Sequence, residues 1–382
     1  MHIAYLTPEY PHERTGNSGG MGTSIKNLVS ELVTQDVKVS VFVYGQAKDD
    51  FFEEGGINFY LLKKVKYPFG GFYFYRKHLN VQLNSFIEKE QIDVLEVPDW
   101  TGISAFMKFK IPVVMRFHGS DTYFCHIERR RQKWKNRFFE KQAVKNSNAY
   151  IAPTTFAGYT SAELFGLKSN KIAIIPYGLQ LENFINEDPL DYLSFNIVNI
   201  GTLIRKKGVF QLAKIFNCIH EKFPKATLTL IGNDAPDVYT NCPSTWLLMQ
   251  KAFTETALQN VIYLGKVSYD KVQVEIKKAH VCVFPSLAET LGMVTLEAMA
   301  LRKAVVNTNM GWAQDLITDG EDGFLHHPDD IEGQCNSIEG IFLNQGLLKD
   351  LGEKARLKVE SNFNIENLVQ RNIDFYSKLL NS

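Results

Sequence analysis

Short β-rich runs alternate with amphipathic segments along the chain, and this alternation limits the folds open to it more than any other feature. His2–Leu6, Val37–Tyr44, Asn58–Leu62, Val94–Val97, Val113–Phe117, Ala149–Ile151 and Ile172–Ile175 read as strands. After the first of them, Ile25, Leu28, Val29 and Leu32 follow i, i+3, i+4, i+7 spacing, which predicts a helix over Thr23 to Leu32 with one buried face. Strand, helix, strand repeats imply a parallel sheet covered on both sides. The pattern starts again beyond residues 181–195, a stretch with Pro189, several acids and no clear period. Ile197–Ile200, Thr227–Ile231, Val261–Leu264, Val281–Phe284 and Ala304–Asn307 form the second set of strands, with helical runs such as Val209–Lys222 between them. At 382 residues the chain also exceeds the roughly 250–300 at which a single core stops growing. The expectation is an α/β protein of two parallel-sheet domains, 1–180 and 196–363, joined by a linker at 181–195. A helix within 364–382 has no strand after it and is expected to pack back on the first domain.

With 45% hydrophobic and 22% charged residues the composition is that of a globular chain, and a formal net charge of zero gives no global bias toward nucleic acid or membrane. Electrostatic specialisation must then be local. The five cysteines are scattered without a C-x-x-C pair, which argues against a disulfide frame or a zinc site and for a reducing compartment. The opening run Ile3-Ala4-Tyr5-Leu6 lacks a charged preceding region, and no run of about 18 apolar residues occurs, so neither a standard export signal nor a membrane span is expected.

Parallel-sheet domains collect ligands at the carboxyl ends of their strands, so the chemistry is expected in the loops that follow them, in a cleft shared by the two domains. After the first strand comes Gly16-Asn17-Ser18-Gly19-Gly20-Met21-Gly22, where bare backbone can approach an anion at a helix start. It is not a dinucleotide fingerprint, because the third glycine of G-x-G-x-x-G is missing and the loop lies too far from the strand end, which disfavours a nicotinamide enzyme. After Val113–Phe117 comes His118-Gly119-Ser120-Asp121, a histidine at a strand terminus, and Asp99 follows another strand as a weaker candidate. In the second domain Ile197–Ile200 runs into Gly201-Thr202-Leu203-Ile204-Arg205-Lys206-Lys207-Gly208, whose consecutive cations and glycines suit a diphosphate.

The fourth loop is Pro285 to Gly292, which leads into Leu301 with Glu289 and Glu297 eight residues apart and Gly292 between them. Gly292 is the last helix breaker before a run of good helix formers, so the helix opens there, leaving Glu289 in the loop and Glu297 in the helix. A helix start offers N–H groups to a phosphate, and a carboxylate further in can accept from sugar hydroxyls.

These residues resemble the retaining glycosyltransferases of family 4, over nearly the whole chain. The most specific element is the Glu-x7-Glu motif from Glu289 to Glu297, followed by the G-x-x-D-L-I-x-D-G-x-x-G-F-L run from Gly311 to Leu325. G-T-L-x-x-K-K-G at 201–208, I-P-Y-G at 175–178, His118-Gly119 and the glycine loop support it. The resemblance implies the GT-B fold of two facing Rossmann-like domains and a nucleoside diphosphate sugar bound to the second. It further implies that Glu297 accepts from ribose hydroxyls, that Glu289 lies beside the donor sugar, and that Gly292, Met293 and Val294 offer N–H groups to the donor. Lys207 matches the family's phosphate lysine, while the usual arginine after the loop's first glycine is Thr202 here, with Arg205 the nearest replacement. Gly19 and Gly20 would approach the donor from the first domain, with His118 near the transferred sugar. No metal or other cofactor is implied, and no protein nucleophile is assigned.

Two stretches of the first domain, Lys63–Lys77 and Arg129–Phe139, mix cations with aromatics, which suits an anionic membrane surface. The expected acceptor is accordingly a saccharide or lipid-linked saccharide of cell-surface polysaccharide synthesis, handled in the cytoplasm at the inner face of the membrane. Two alternatives stay open: a nucleotide-sugar epimerase or hydrolase on the same fold, and a non-catalytic nucleotide-sugar-binding protein.

Overall fold

Because every residue of the first strand is buried, neither of its faces meets water. The structure is a computed structural model that describes residues 1–16 and 18–381; Asn17 of the glycine loop and Ser382 of the tail lie outside them. By internal contacts the chain forms two units, one taking residues up to Gln180 and again from Ile365, the other Leu181–Asn364.

The first unit contains β1 (His2–Thr7), α1 (Gly20–Thr34), β2 (Lys38–Gln46), β3 (Asp50–Glu54), β4 (Ile57–Lys63), α2 (Gly71–Glu90) and β5 (Val94–Pro98). It continues with β6 (Val113–Arg116), α3 (Asp121–Ile127), α4 (Trp134–Lys145), β7 (Ala149–Ala152), α5 (Thr155–Phe165) and β8 (Ile172–Ile174). Its sheet has the order β3-β4-β2-β1-β5-β6-β7-β8 and is parallel except for β3, which pairs antiparallel with β4. Side chains alternate across a strand, so β1 sends Ala4 and Leu6 to one core and Ile3 and Tyr5 to the other. The first core takes Leu79, Leu83 and Ile87 of α2, and the second takes Ile25, Leu28, Val29 and Leu32 of α1.

The second unit contains β9 (Asn196–Ile200), α6 (Val209–Lys222), β10 (Thr227–Ile231), α7 (Thr245–Gln250), α8 (Glu255–Leu258), β11 (Val261–Tyr263) and α9 (Tyr269–Lys277). It ends with β12 (Val281–Phe284), α10 (Met293–Ala300), β13 (Val305–Thr308), β14 (Phe324–His326), α11 (Ile331–Leu343) and α12 (Gln345–Asn362). Its all-parallel sheet runs β11-β10-β9-β12-β13-β14, so the strand order reverses between β9 and β12, where Ile197 pairs with Val281 and Val198 with Cys282. The first sheet reverses likewise between β1 and β5, with Ile3 beside Val94. Such a reversal leaves a crevice at the carboxyl ends of the two strands. Residues 181–195 count with the second unit, and Leu190 and Tyr192 pack against its core, because the stretch carries apolar anchors despite its acids.

The last helix, α13 (Ile365–Leu380), belongs to the first unit, where Leu368, Val369 and Tyr376 join the core that α1 supplies. A buried polar cluster fixes it. The guanidinium of Arg116 donates to both carboxylate oxygens of Glu96, at 2.7 and 3.0 Å, and to Oδ1 of Asn372 at 2.7 Å. The Tyr376 hydroxyl donates to Glu96 at 2.5 Å and meets Tyr5 at 3.1 Å. A buried ion pair of this kind holds only when hydrogen bonds meet its remaining lone pairs and protons, and α13 supplies those partners.

Candidate functional site

In the second unit the loops leaving β9 and β12, on either side of the reversal, are tied by backbone. The N–H groups of Leu287 and Ala288 donate to the Lys206 carbonyl at 2.7 and 3.3 Å. Gly208 follows with φ +69°, and a Cβ there would stand 1.8 Å from the Pro285 carbonyl oxygen, so only glycine permits both the left-handed turn and this approach. Lys207 is thereby turned toward the second loop, where its ammonium meets Oε1 of Glu289. Ser286 Oγ donates to the same oxygen at 3.3 Å. Lys207 and Glu289, candidates from separate loops, are brought into one ion pair.

Arg205 goes elsewhere. Its guanidinium donates twice to Asp237, at 2.6 and 3.0 Å, and the Asp237 carboxyl is held well below the usual carboxylate range, chiefly by that arginine. Asp237 sits 32 positions away in sequence and no local pattern singled it out. Thr202 lies half-buried in the same loop, after Gly201.

As the helix-breaker argument requires, α10 starts at Met293 with Gly292 as its N-cap at φ 95°, and no side chain caps it among the described residues. Gly292, Met293 and Val294 are half-buried at this start. Glu297 lies deeper in the helix, only 5% exposed, and its Oε1 accepts from the Tyr269 hydroxyl at 3.0 Å. Burial pushes its pKa up to about 7 against that hydrogen bond. Tyr269, at the start of α9, is a second partner that the motif does not disclose, since it stands 28 positions away.

In the first unit α1 begins at Gly20, three residues before the periodicity predicts, with Gly19 as its N-cap. No side chain caps it from the Gly19 position, and the acceptor comes from outside the helix: Oε1 of Glu9 accepts from the N–H groups of Gly19 and Gly22, each at 3.0 Å. The glycines extend the helix because a carboxylate ten residues back meets the orphan donors of its first turn. His118 follows β6, its Nδ1 2.7 Å from the Tyr177 hydroxyl and its ring stacked on that ring. Burial and the nearby Arg116 hold it down at about 3, so it is neutral at pH 7. The turn is held by Asp99, whose carboxylate accepts from the N–H groups of His118 at 2.9 Å and Gly119 at 3.2 Å. Asp99 is itself buried and raised to about 7. Ser24 of α1, Arg116, His118 and Tyr177 border one small cavity of about 10 Å³, room for a single water.

Each unit thus presents charged or polar groups and helix starts after the strands where its sheet order reverses, an arrangement fitted to an anionic, hydroxyl-rich ligand. Residues 185–358 match the family model described as glycosyl transferases group 1, and residues 18–183 match that of glycosyltransferase family 4. The chain belongs to the family 4 glycosyltransferases. Similar to this glycosyltransferase is an uncharacterized glycosyltransferase of Methanocaldococcus jannaschii, 26% identical over 88% of this chain and 89% of that protein. The capsular polysaccharide biosynthesis glycosyltransferase CapM of Staphylococcus aureus is also 26% identical, over 56% of this chain and 57% of its own length. Among solved structures, Anabaena HepE in complex with UDP and glucose superposes with a TM-score of 0.77 at 16% identity, covering 99% of this chain and 100% of that one. The fold is that of the GT-B glycosyltransferases, with two Rossmann-like parallel-sheet domains.

Proposed function

We propose that this glycosyltransferase moves a sugar, with retention of configuration, from a nucleoside diphosphate sugar to a hydroxyl on a saccharide, free or lipid-linked, in polysaccharide synthesis. The observation that carries the reading is Glu297: a carboxylate almost wholly buried, beyond an uncapped helix start, at the sheet reversal of the second unit. Burying a carboxylate without a cation is costly, and a ribose would meet it with two hydroxyl donors.

In this reading the N–H groups of Gly292, Met293 and Val294 face the diphosphate or sugar, beside Thr202. Lys207 exchanges its contact with Glu289 for the diphosphate, which frees Glu289 for the sugar hydroxyls. Arg205, already neutralised by Asp237, is the lesser contributor of charge. Within the first unit, His118, kept neutral, and the Gly19-Gly20 backbone are the groups able to hydrogen-bond a sugar. The bond from the anomeric carbon to the diphosphate oxygen breaks while one forms to the acceptor oxygen on the same face, and the departing oxygen takes the acceptor's proton. Stabilising the negative charge that develops on the leaving group is the main demand of such a step.

UDP-glucose is the first donor to test, since HepE was solved with UDP and glucose. CapM makes capsular-type saccharides the first acceptors. Release of UDP that requires a saccharide, with an α-linked product from an α-linked donor by nuclear magnetic resonance, is the expected result. Turnover of the donor without any acceptor would point instead to an epimerase or hydrolase.

A further inference from the structure

The two cationic, aromatic stretches of the first unit come together in space. Ring contacts run from Phe72 to Phe139 at 6.1 Å, from Tyr73 to Phe106 at 5.8 Å and from Phe106 to Phe138 at 5.9 Å. Between the stretches lies a cavity of about 820 Å³ whose wall includes Phe72, Arg76, Arg131, Lys133, Trp134 and Lys135, and no carboxylate.

Arg76 is the unusual member. It is 5% exposed, and its guanidinium donates to three carbonyls, those of Phe72 at 2.9 Å, Thr101 at 2.7 Å and Gly102 at 3.0 Å, while lying 4.3 Å over the Phe139 ring. Three carbonyls and a ring take up part of its donor capacity, but among the described residues no carboxylate pairs with its charge, unlike Arg116, which has Glu96. Burial lowers its pKa only to about 10, so it stays charged. A desolvated cation without a carboxylate creates a positive potential that an incoming anion relieves. At the mouth, Arg131, Lys133 and Lys135 are exposed and add the same sign.

The rim says what carries the anion. Of the residues lining the cavity, Trp134 is 72% exposed and Phe72 66%, an apolar, aromatic border of the kind that inserts at a membrane interface. A soluble anion would need none of it. No helix among the described residues is long and apolar enough to cross a membrane, so contact here would be from one side.

We propose that this cavity is a site for the phosphate-bearing headgroup of a membrane lipid, with Arg76 facing the headgroup, Arg131, Lys133 and Lys135 around it, and the exposed rings against the bilayer surface. The proposal deepens the reading of a lipid-linked acceptor and rests on it.

The test is flotation of the full chain with vesicles of phosphatidylcholine alone or mixed with phosphatidylglycerol, at physiological salt. The expected result is binding to the mixed vesicles only, weakened at least tenfold by Arg131→Glu with Lys133→Glu, and weakened by Trp134→Ala, with melting temperatures unchanged. Arg76→Met should abolish binding; because it also removes three structural hydrogen bonds, the surface variants carry the test if it fails to fold. Absence of flotation, equal flotation with neutral vesicles, or full binding by the charge-reversed variant would overturn the proposal. Glycerol 1-phosphate supplied alone separates the sources: if it binds as tightly as the vesicles, the lipid part is wrong. UDP-glucose titration of the same samples keeps the readings apart, since loss of donor binding counts against the proposed function and loss of flotation against this site.

Discussion

Glu297 carries a conflict between stability and binding that can be read in pH. Its folded-state value, about 7, lies above its ordinary 4.5, so the stability it contributes is fully present below about 4.5 and is lost as pH rises through about 7. Glu297→Gln should therefore be the more stable protein at pH 8, by about 1–3 kcal/mol in denaturant unfolding. Under the proposed function binding has the opposite sign, because ribose hydroxyls favour the charged acceptor. Wild-type affinity for UDP-glucose should fall about tenfold between pH 8 and pH 6 by calorimetry, and in Glu297→Gln it should be weak and nearly flat. The Tyr269 hydroxyl lowers the Glu297 pKa by donating to it, so Tyr269→Phe should move the midpoint of that profile upward. A midpoint that stays put in Tyr269→Phe would remove the tyrosine from the site's electrostatics.

At the level of elements, the decisive join is that between the β9 loop and the β12 loop. Gly208→Ala forces a Cβ onto the Pro285 carbonyl in a left-handed turn, at a cost of about 1–3 kcal/mol for packing, with the backbone strain adding to it. Gly265→Ala, at φ +65° but with nothing within 4 Å, bears the strain alone and serves as the control. Under the proposed function only the first should also weaken UDP-glucose binding, because it shifts Lys207 from the position from which it would reach the diphosphate. The sequence disclosed such elements unevenly. Parallel strands buried on both faces are near-continuous apolar runs, broken in β9 only by Asn199 after its first residue, which is why β1, β9 and β12 are plain in the chain. β3, an edge strand reading Asp-Phe-Phe-Glu-Glu and paired antiparallel, carries no such run, and β14 has only Phe324 and Leu325 before His326. α1 starts ahead of its apolar period because its acceptor, Glu9, lies outside the helix. The candidate site residues divide in the same way: Glu289, Glu297, Lys207 and His118 follow strands and are legible by position. Asp237, Tyr269 and Tyr177 act through contacts that only the folded sheet creates.

Across the whole molecule, the chain leaves the first unit after Gln180 and re-enters it at Ile365, so the first unit is completed by the last residues of the chain. That return can be weighed. α13 buries Ile365, Leu368, Val369 and Tyr376, and at about 1.5–3 kcal/mol for each side chain its loss removes on the order of 6–12 kcal/mol as an upper bound. A domain's entire stability is about 5–15 kcal/mol. Truncation after Asn364 also strips Arg116 and Glu96 of their partners Asn372 and Tyr376, leaving a buried pair half-satisfied. The first unit should then unfold, whereas the second, whose core cluster draws on no residue of α13, should stay folded. Limited proteolysis should degrade the residues before 181 and spare a fragment containing Glu289 and Glu297. If UDP binding is the property of the second unit, as the proposed function holds, that fragment still binds UDP while transfer is lost. Loss of UDP binding in a fragment whose second unit remains folded would mean that the first unit supplies part of the nucleotide's affinity.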